Sequence, residues 1–139
     1  MTIASVARVA EASLRVITDL QLPNGAYPRL VPYLAEQARE SVATSRPLMR
    51  GLFVDHPHDE AAWAHPHEFL LGDDLLVNPV TEPGVTEWAT YLPAGRWVDA
   101  WDGSRHDGGR VVTRATPRDV VPVYVRAEAW AGLGPLFEP

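Results

Sequence analysis

The spacing of apolar residues predicts two amphipathic helices in the first third of the chain. Apolar residues recur every three or four positions at Ile3, Val6, Ala10, Leu14, Ile17 and Leu20. This period is typical of a helix that buries one face. The segment LPNGAYP, residues 22–28, ends the helix because Pro and Asn-Gly are strong breakers.

The second helix is predicted from Arg29 to Val42. Its apolar side consists of Leu30, Tyr33, Leu34 and Ala38. Pro32 lies near the start of this segment, where a proline is acceptable in the first turn or as a kink. From Pro47 onward the pattern changes to short apolar runs of strand length.

These short runs predict a series of strands. PLMRGLFV (47–54) and LLVNPV (75–80) are each expected to form a buried strand. VTEWATYL (85–92) and RWVDAW (96–101), separated by a Pro-Ala-Gly turn, predict a β-hairpin. RVVTRA (110–115) and DVVPVYVR (119–126) predict two more strands. Side chains alternate along an extended chain, so Trp97, Asp99 and Trp101 are expected on one face.

Strands about ten residues apart, with turn signals between them, indicate an antiparallel sandwich. The predicted fold class is therefore α+β, with N-terminal helices followed by a mainly antiparallel β-sandwich. We expect the chain to divide into an α-rich part, residues 1–72, and a β-sandwich, residues 73–139.

Composition narrows the functional classes. The 139-residue chain has a formal net charge of -6 and no Lys/Arg stripe, which argues against nucleic acid as a partner. It has no cysteine, so disulfides and thiolate chemistry are excluded. No apolar run approaches the roughly 20 residues that span a bilayer, so no membrane association is expected. With no signal peptide evident, a cytoplasmic location is the expectation.

The segment HPHDEAAWAHPH (56–67) is the first candidate for chemistry. It contains two His-Pro-His triplets, His56–His58 and His65–His67, with Asp59 and Glu60 between them. Zinc needs three or four such ligands in a tetrahedral array. The alternative is a solvated connection in which Asp59 caps a short helix. We favour this connection, because the triplets need not face one another.

Two further features have structural and functional interpretations. Asp73 and Asp74 could form a carboxylate pair, but adjacent residues at a strand entry point to different sides, which favours a surface turn. The five tryptophans could stack on sugar rings or fill the core. They are Trp63, Trp88, Trp97, Trp101 and Trp130. We favour a core position for Trp97 and Trp101.

Five phrases in one order carry a resemblance to a known family. They are RLVPYLAEQA (29–38), RPLMRGLFVDHPHD (46–59), EFLLGDDLLVNPV (68–80), YLPAGRWVDAWDG (91–103) and VPVYVR (121–126). Together they closely resemble the C-terminal part of glycoside hydrolase family 31, the α-glucosidases and α-xylosidases. The motif positions that match are Arg29, Pro32, Tyr33, Arg50, Pro57, Asp59, Phe69, Gly72, Pro79, Trp97, Asp99, Trp101, Gly103 and Arg126.

The resemblance implies that residues 1–72 contain the last elements of a TIM-type barrel and that residues 73–139 form the sandwich after it. Family members are retaining enzymes with two catalytic aspartates about 5 Å apart. The nucleophile segment W-x-D-M-N-E and the acid/base strand do not occur in this sequence, so no catalytic residue is assigned. The chain also departs from the family pattern. The changed positions are His56, Glu68, Asn78, Val98 and Asp102.

Three functions remain open. The chain resembles a C-terminal fragment of a retaining α-glycosidase, without cofactor or metal and inactive alone. Alternatively it is a carbohydrate- or protein-binding sandwich, or, as a third hypothesis, a His-rich metal protein. Exposed barrel-facing surface would favour a complementary chain or a homodimer as partner.

Overall fold

The computed structural model describes residues 26–117 and 120–138. The first predicted helix, residues 3–20, lies outside the described residues. The second predicted helix is confirmed as α1, Ala26–Thr44, and Pro32 lies inside it. In the described part of the chain, no helix combines the length and the apolar character needed to cross a membrane.

Eight strands and several short helical segments follow α1. The strands are β1 Met49–Gly51, β2 Phe69–Leu71, β3 Leu75–Val77, β4 Glu87–Leu92, β5 Arg96–Asp99, β6 Arg105–Asp107, β7 Arg110–Ala115 and β8 Val123–Arg126. The helices are α2 Leu52–Asp55, α3 Glu60–Ala64 and α4 Trp130–Leu133. Two 3₁₀ turns, Ala127–Ala129 and Gly134–Phe137, flank α4.

The strands form two antiparallel sheets. The larger sheet has the order β1-β2-β3-β8-β5-β6, and the smaller one pairs β4 with β7. This arrangement confirms the predicted α+β class with a mainly antiparallel sandwich. The larger sheet contains β1 and β2 before residue 72 and the other four strands after it, so the expected division at residue 72 falls within a sheet.

Alternating side chains give the larger sheet two buried faces. On β8, Val123 and Val125 belong to one core cluster, whereas Tyr124 belongs to the other. The first cluster includes Leu30 and Leu34 of α1, and the second includes Leu92 of β4. The larger sheet is therefore covered by helices on one side and by the smaller sheet on the other.

The predicted hairpin of 85–92 with 96–101 is wrong. Strand β4 pairs with β7 over six residue pairs, whereas β5 pairs with β6 and β8. The turn at 93–95 carries the chain from one sheet to the other, and Gly95 has a φ of 121°. A local turn signal does not distinguish this crossing from a hairpin, because the partners are chosen by distant pairing.

The strand predicted at 47–54 is also only partly correct. Only Met49–Gly51 is extended, and the chain then forms the helical turn α2. The His56 N–H donates to the Leu52 carbonyl at 3.0 Å, and Leu52 is fully buried. This turn returns Asp55 to the side chain of Arg50, which an extended segment would not do.

Trp97, Asp99 and Trp101 do not share one face, contrary to expectation. Trp97 belongs to the cluster between the two sheets, whereas Trp101 packs against the cluster that contains α1. The strand ends at Asp99, where the Gly103 N–H donates to the Asp99 carbonyl at 2.9 Å. Trp101 lies in the resulting turn, so strand alternation no longer applies to it.

Candidate functional site

A buried arginine with two carboxylate partners forms the most heavily hydrogen-bonded polar cluster in the described residues. Arg50 on β1 is only 4% exposed. Its Nε and Nη2 donate to the two Asp55 oxygens at 3.1 and 3.0 Å, a bidentate pair. Nη2 also donates to Asp73 at 2.9 Å. The backbone carbonyls of Pro47 and Gly72 accept the remaining bonds, so the buried charge is satisfied.

The Asp55 carboxyl of this Arg50 cluster is held in the charged form. Burial alone would raise the pKa of Asp55, but hydrogen bonds from Arg50 and Arg46 outweigh it and lower the pKa. Both Arg46 and Arg50 pair with Asp73 as well. A cavity of about 10 Å³ beside Arg50 has room for about one water. These acids therefore stabilise the fold and have no space for a sugar.

The turn between β2 and β3 is fixed by Tyr33 of α1. The Tyr33 hydroxyl donates to the Leu71 carbonyl at 2.9 Å and accepts from the Asp74 N–H at 3.1 Å. Gly72 has a φ of 68°, and a Cβ at this position would lie 2.5 Å from the Tyr33 hydroxyl. The turn predicted for Asp73 and Asp74 is confirmed. The motif residues Tyr33 and Gly72 occur together because the Tyr33 hydroxyl occupies the space that a side chain at position 72 would need.

The histidine-rich segment forms the predicted connection. Asp59 is the N-cap of α3 and accepts from the Ala61 N–H at 3.0 Å, as expected. The Tyr91 hydroxyl donates to the other Asp59 oxygen at 2.5 Å, and this bond is the largest of the effects that lower the pKa of Asp59. The His65 ring stacks on Tyr91 at 5.3 Å. The segment therefore contacts β4 through Tyr91, by a hydrogen bond and by ring stacking.

The four histidines of this segment lie in different surroundings. His58 and His67 are exposed, while His65 donates from Nδ1 to the Ala61 carbonyl at 2.8 Å. Burial lowers the pKa of His56. Within residues 26–117 and 120–138, no three His, Asp or Glu side chains come together as metal ligands.

Glu68 is a buried acid that the motif pattern did not single out as functional. It is 2% exposed, and burial raises its pKa to about 8. Oε1 accepts from the Tyr91 N–H at 2.7 Å, but Oε2 has no partner. A raised carboxyl pKa is typical of general acids. Glu68, however, is almost fully buried and does not line the cavity beside Arg50.

Trp97 and Arg126 form the centre of the sandwich. Trp97 is fully buried, as predicted, and the Arg126 guanidinium lies 4.7 Å from the centre of its ring. Arg126 also donates to the Asp73 carbonyl at 2.8 Å. Asp99 accepts from the Trp101 N–H at 2.8 Å and lies 2.7 Å from Arg114 Nε, an ion pair outside hydrogen-bond angles. This ion pair connects the two sheets.

Trp101 fulfils the core prediction only in part. It is half-buried, contacts Phe137 edge-on at 5.4 Å, and donates from Nε1 to the Val121 carbonyl. Trp63 is different: it is 57% exposed and stacks on Phe53 at 4.5 Å.

The remaining motif residues make contacts in turns and near the C-terminus. Arg29 donates to the Glu138 carbonyl at 2.6 Å, and the Pro57 carbonyl accepts from Trp63 Nε1. Phe69 and Pro79 are half-buried, and Gly103 has a φ of 73°. The motif residues thus bring no carboxylate pair to a cleft. They stabilise the sandwich and its junction with α1.

The comparisons with known proteins agree with this architecture. Residues 45–129 match the model of the glycosyl hydrolase family 31 C-terminal domain. The chain belongs to glycosyl hydrolase family 31. Its match lies in the C-terminal domain and contains four of the five phrases that carried the resemblance, all but residues 29–38.

Relatives of several specificities share this part of family 31. The 1,3-alpha-isomaltosidase of Kribbella flavida is 59% identical over 78% of this chain and 15% of its own length. The sulfoquinovosidase of Escherichia coli is 39% identical over 77% and 16%. The alpha-xylosidase of Saccharolobus solfataricus is 30% identical over 73% and 14%.

Solved structures of family 31 share the fold. A mutant of Kfla1895 superposes with a TM-score of 0.79 at 56% identity, covering 82% of this chain and 16% of that one. The cycloalternan-degrading enzyme from Trueperella pyogenes gives 0.71 at 51% identity, covering 73% and 14%. The chain thus spans about one sixth of the length of the relatives it matches.

Proposed function

We propose that this chain is the C-terminal sandwich unit of a retaining α-glycosidase and that it supports a catalytic barrel supplied by residues outside its 139. The proposal rests on the match of residues 45–129 to the family 31 C-terminal domain. The 59% identity to an isomaltosidase supports it. A retaining site needs two carboxyl groups about 5 Å apart around the anomeric carbon. The best-placed acids here are instead engaged by Arg50, Tyr91 and Arg114.

The surface near β1 supports a docking role. Trp63 and Val54 are 57% and 42% exposed, and Phe53 stacks on Trp63. These three residues, the aromatic patch, lie on α2 and α3, directly after the strand that resembles the last barrel strand. Exposed aromatic side chains are enriched at protein interfaces. The occupant we propose is the barrel, either on a complementary chain or elsewhere in a longer protein.

The proposed substrate class is an α-linked glucoside. Identity is 59% to the isomaltosidase and 30% to the alpha-xylosidase, which favours a glucoside over a xyloside. The parent reaction would be retaining hydrolysis of a terminal α-glycosidic bond without a metal or organic cofactor.

The first test is turnover by the purified chain. We expect no release of aryl product from α-glucosides or α-xylosides. Turnover with retention of configuration would contradict the proposal, because no pair of free carboxylates has been assigned in this chain.

The second test is complementation. The Kribbella flavida isomaltosidase is truncated to remove the segment that this chain matches, and the missing segment is supplied as a separate chain. We expect this chain to restore hydrolysis of the substrate of the intact relative. The relative's own segment, added in the same way, is the positive control. If that control restores activity and this chain does not, the supporting role is wrong.

Matched variants localise the docking surface. Trp63→Ser should weaken complementation, whereas Val111→Ser, which removes an equally exposed apolar side chain on β7, should not. Equal effects of both variants would contradict docking through the aromatic patch.

The exposure of Trp63 also favours a second candidate, a carbohydrate-binding module. Indole rings stack on sugar faces, and Trp63 is 57% exposed although Phe53 covers one face of its ring. Titration with isomalto-oligosaccharides would be followed by tryptophan fluorescence. A saturable response that Trp63→Ala abolishes supports this function, and no response at saturating sugar removes it.

A further inference from the structure

A second, larger cavity lies at the corner where β5, β6 and β7 meet. Its volume is about 230 Å³, and the side chains around it include Arg96, Arg105, His106, Asp107 and Arg110. Trp97 also borders it from the core side. β6 is the edge strand opposite β1 in the larger sheet, about 24 Å away by strand spacing. The aromatic patch contributes no residue to the lining of this basic cavity.

The charge of the basic cavity is opposite to that of the protein. Three of the chain's 12 basic residues converge here, although the formal net charge of the chain is -6. Among residues 26–117 and 120–138, no carboxylate lies within ion-pair distance of Arg96, Arg105 or Arg110. Arg110 Nε does donate at 3.0 Å, but to the backbone carbonyl of Asp107 rather than to its carboxylate.

The backbone around the basic cavity is firmly held. The Gly108 N–H donates to the Gly95 carbonyl and the Gly109 N–H to the Leu92 carbonyl, both at 2.7 Å. A Cβ at Gly108 would lie 1.8 Å from the Pro93 carbonyl oxygen, so only glycine allows this approach. Arg96 and Asp107 are direct partners in the β5–β6 pairing. The three guanidinium groups are thus carried by a preorganised scaffold.

We propose that the basic cavity binds an oxyanion of the phosphate or sulfate type. Guanidinium groups present planar, charged N–H donors that match such anions. The volume is below the roughly 300–1,000 Å³ of sites for drug-sized ligands, which suits a small tetrahedral group. Three arginines around a single carboxylate, Asp107, leave a net positive charge that a bound anion relieves.

The test is a titration of the full chain with inorganic phosphate at constant ionic strength, balanced with chloride. Binding is followed by backbone amide shifts at residues 105–110 and by isothermal calorimetry. We expect a saturable response in the wild-type chain. Arg105→Gln should weaken binding by about fivefold to tenfold. Arg39→Gln, which removes an exposed arginine on α1 with the same change in charge, should leave it unchanged.

Each outcome decides the proposal. Saturable binding that Arg105→Gln weakens and Arg39→Gln does not supports the site. Equal weakening by both variants would indicate a general charge effect and would overturn it. No saturable response in the wild type would also overturn it, and the arginines would then only protect an exposed edge strand from pairing. If Arg105→Gln does not fold, Arg110→Gln provides the same comparison.

Discussion

Two buried ionisable side chains, Arg50 and Glu68, have opposite surroundings in this fold. Arg50 is 4% exposed and all of its bonding is supplied by two carboxylates and two backbone carbonyls. Glu68 is 2% exposed, accepts one backbone hydrogen bond, and leaves Oε2 without a partner. The charge of Arg50 is therefore compensated by its partners, whereas burial favours the neutral form of Glu68.

The two residues differ in how their burial affects the free energy of unfolding. A paired charge is costly to remove because its partners then become uncompensated. A buried acid without a charged partner lowers the free energy of unfolding only at pH values where the same acid is ionised in the unfolded chain. Three predictions test this distinction, from the largest expected effect to the smallest.

Arg50→Leu is expected to destabilise the protein by about 3–5 kcal/mol, because it removes the buried partner of Asp55 and Asp73 and leaves only the exposed Arg46 to pair with them. The free energy of unfolding is measured by urea titration. Arg39→Leu, at an exposed position on α1, should change it by at most about 0.5 kcal/mol. A loss below about 1 kcal/mol in Arg50→Leu would show that the cluster contributes little to folding.

Glu68→Gln should remove a pH dependence of stability. The folded protein holds a proton on Glu68 up to a pKa of about 8, whereas the unfolded chain releases it near the ordinary value of 4.5. The contribution of Glu68 to stability is therefore greatest below pH 4.5 and falls as the pH rises towards 8, by at most about 1.4 kcal/mol per pH unit. Gln is isosteric and does not ionise, so this slope should flatten.

The measurement is the free energy of unfolding at several pH values between the two pKa values. Glu87→Gln, an exposed acid on β4 with the same change in charge, is the control and should keep the wild-type slope. An unchanged slope in Glu68→Gln would mean that Glu68 ionises at its ordinary pKa in the folded protein.

Local patterns predicted the elements better than their partners. The apolar period gave α1, and short apolar runs gave most strands, because both depend on residues close in sequence. The hairpin of β4 with β5 was wrong, because β4 finds its partner in β7, beyond β5 and β6. Pairing over that distance is decided by packing, which no turn signal records.

The functional features divide in the same way. The resemblance identified Arg50, Tyr33 and Gly72, although only the structure explains them. Glu68 was visible as a departure from the family pattern, but its burial depends on contact with β4. The arginines of the basic cavity come from three strands. Their convergence depends on the sheet register, which local sequence patterns do not reveal.

Asp59→Ala tests a third, partly exposed acid and should have the smallest effect. Asp59 caps α3 and accepts from the Tyr91 hydroxyl, and water can replace both bonds in part. A loss of about 1 kcal/mol is expected, and Asp59→Asn should retain most of the cap. Thermal unfolding is compared with Glu60→Ala, the exposed neighbour. Equal stability of Asp59→Ala and Glu60→Ala would mean that the cap contributes nothing. A loss as large as that of Arg50→Leu would mean that burial does not determine how much a charged residue contributes to the stability of this fold.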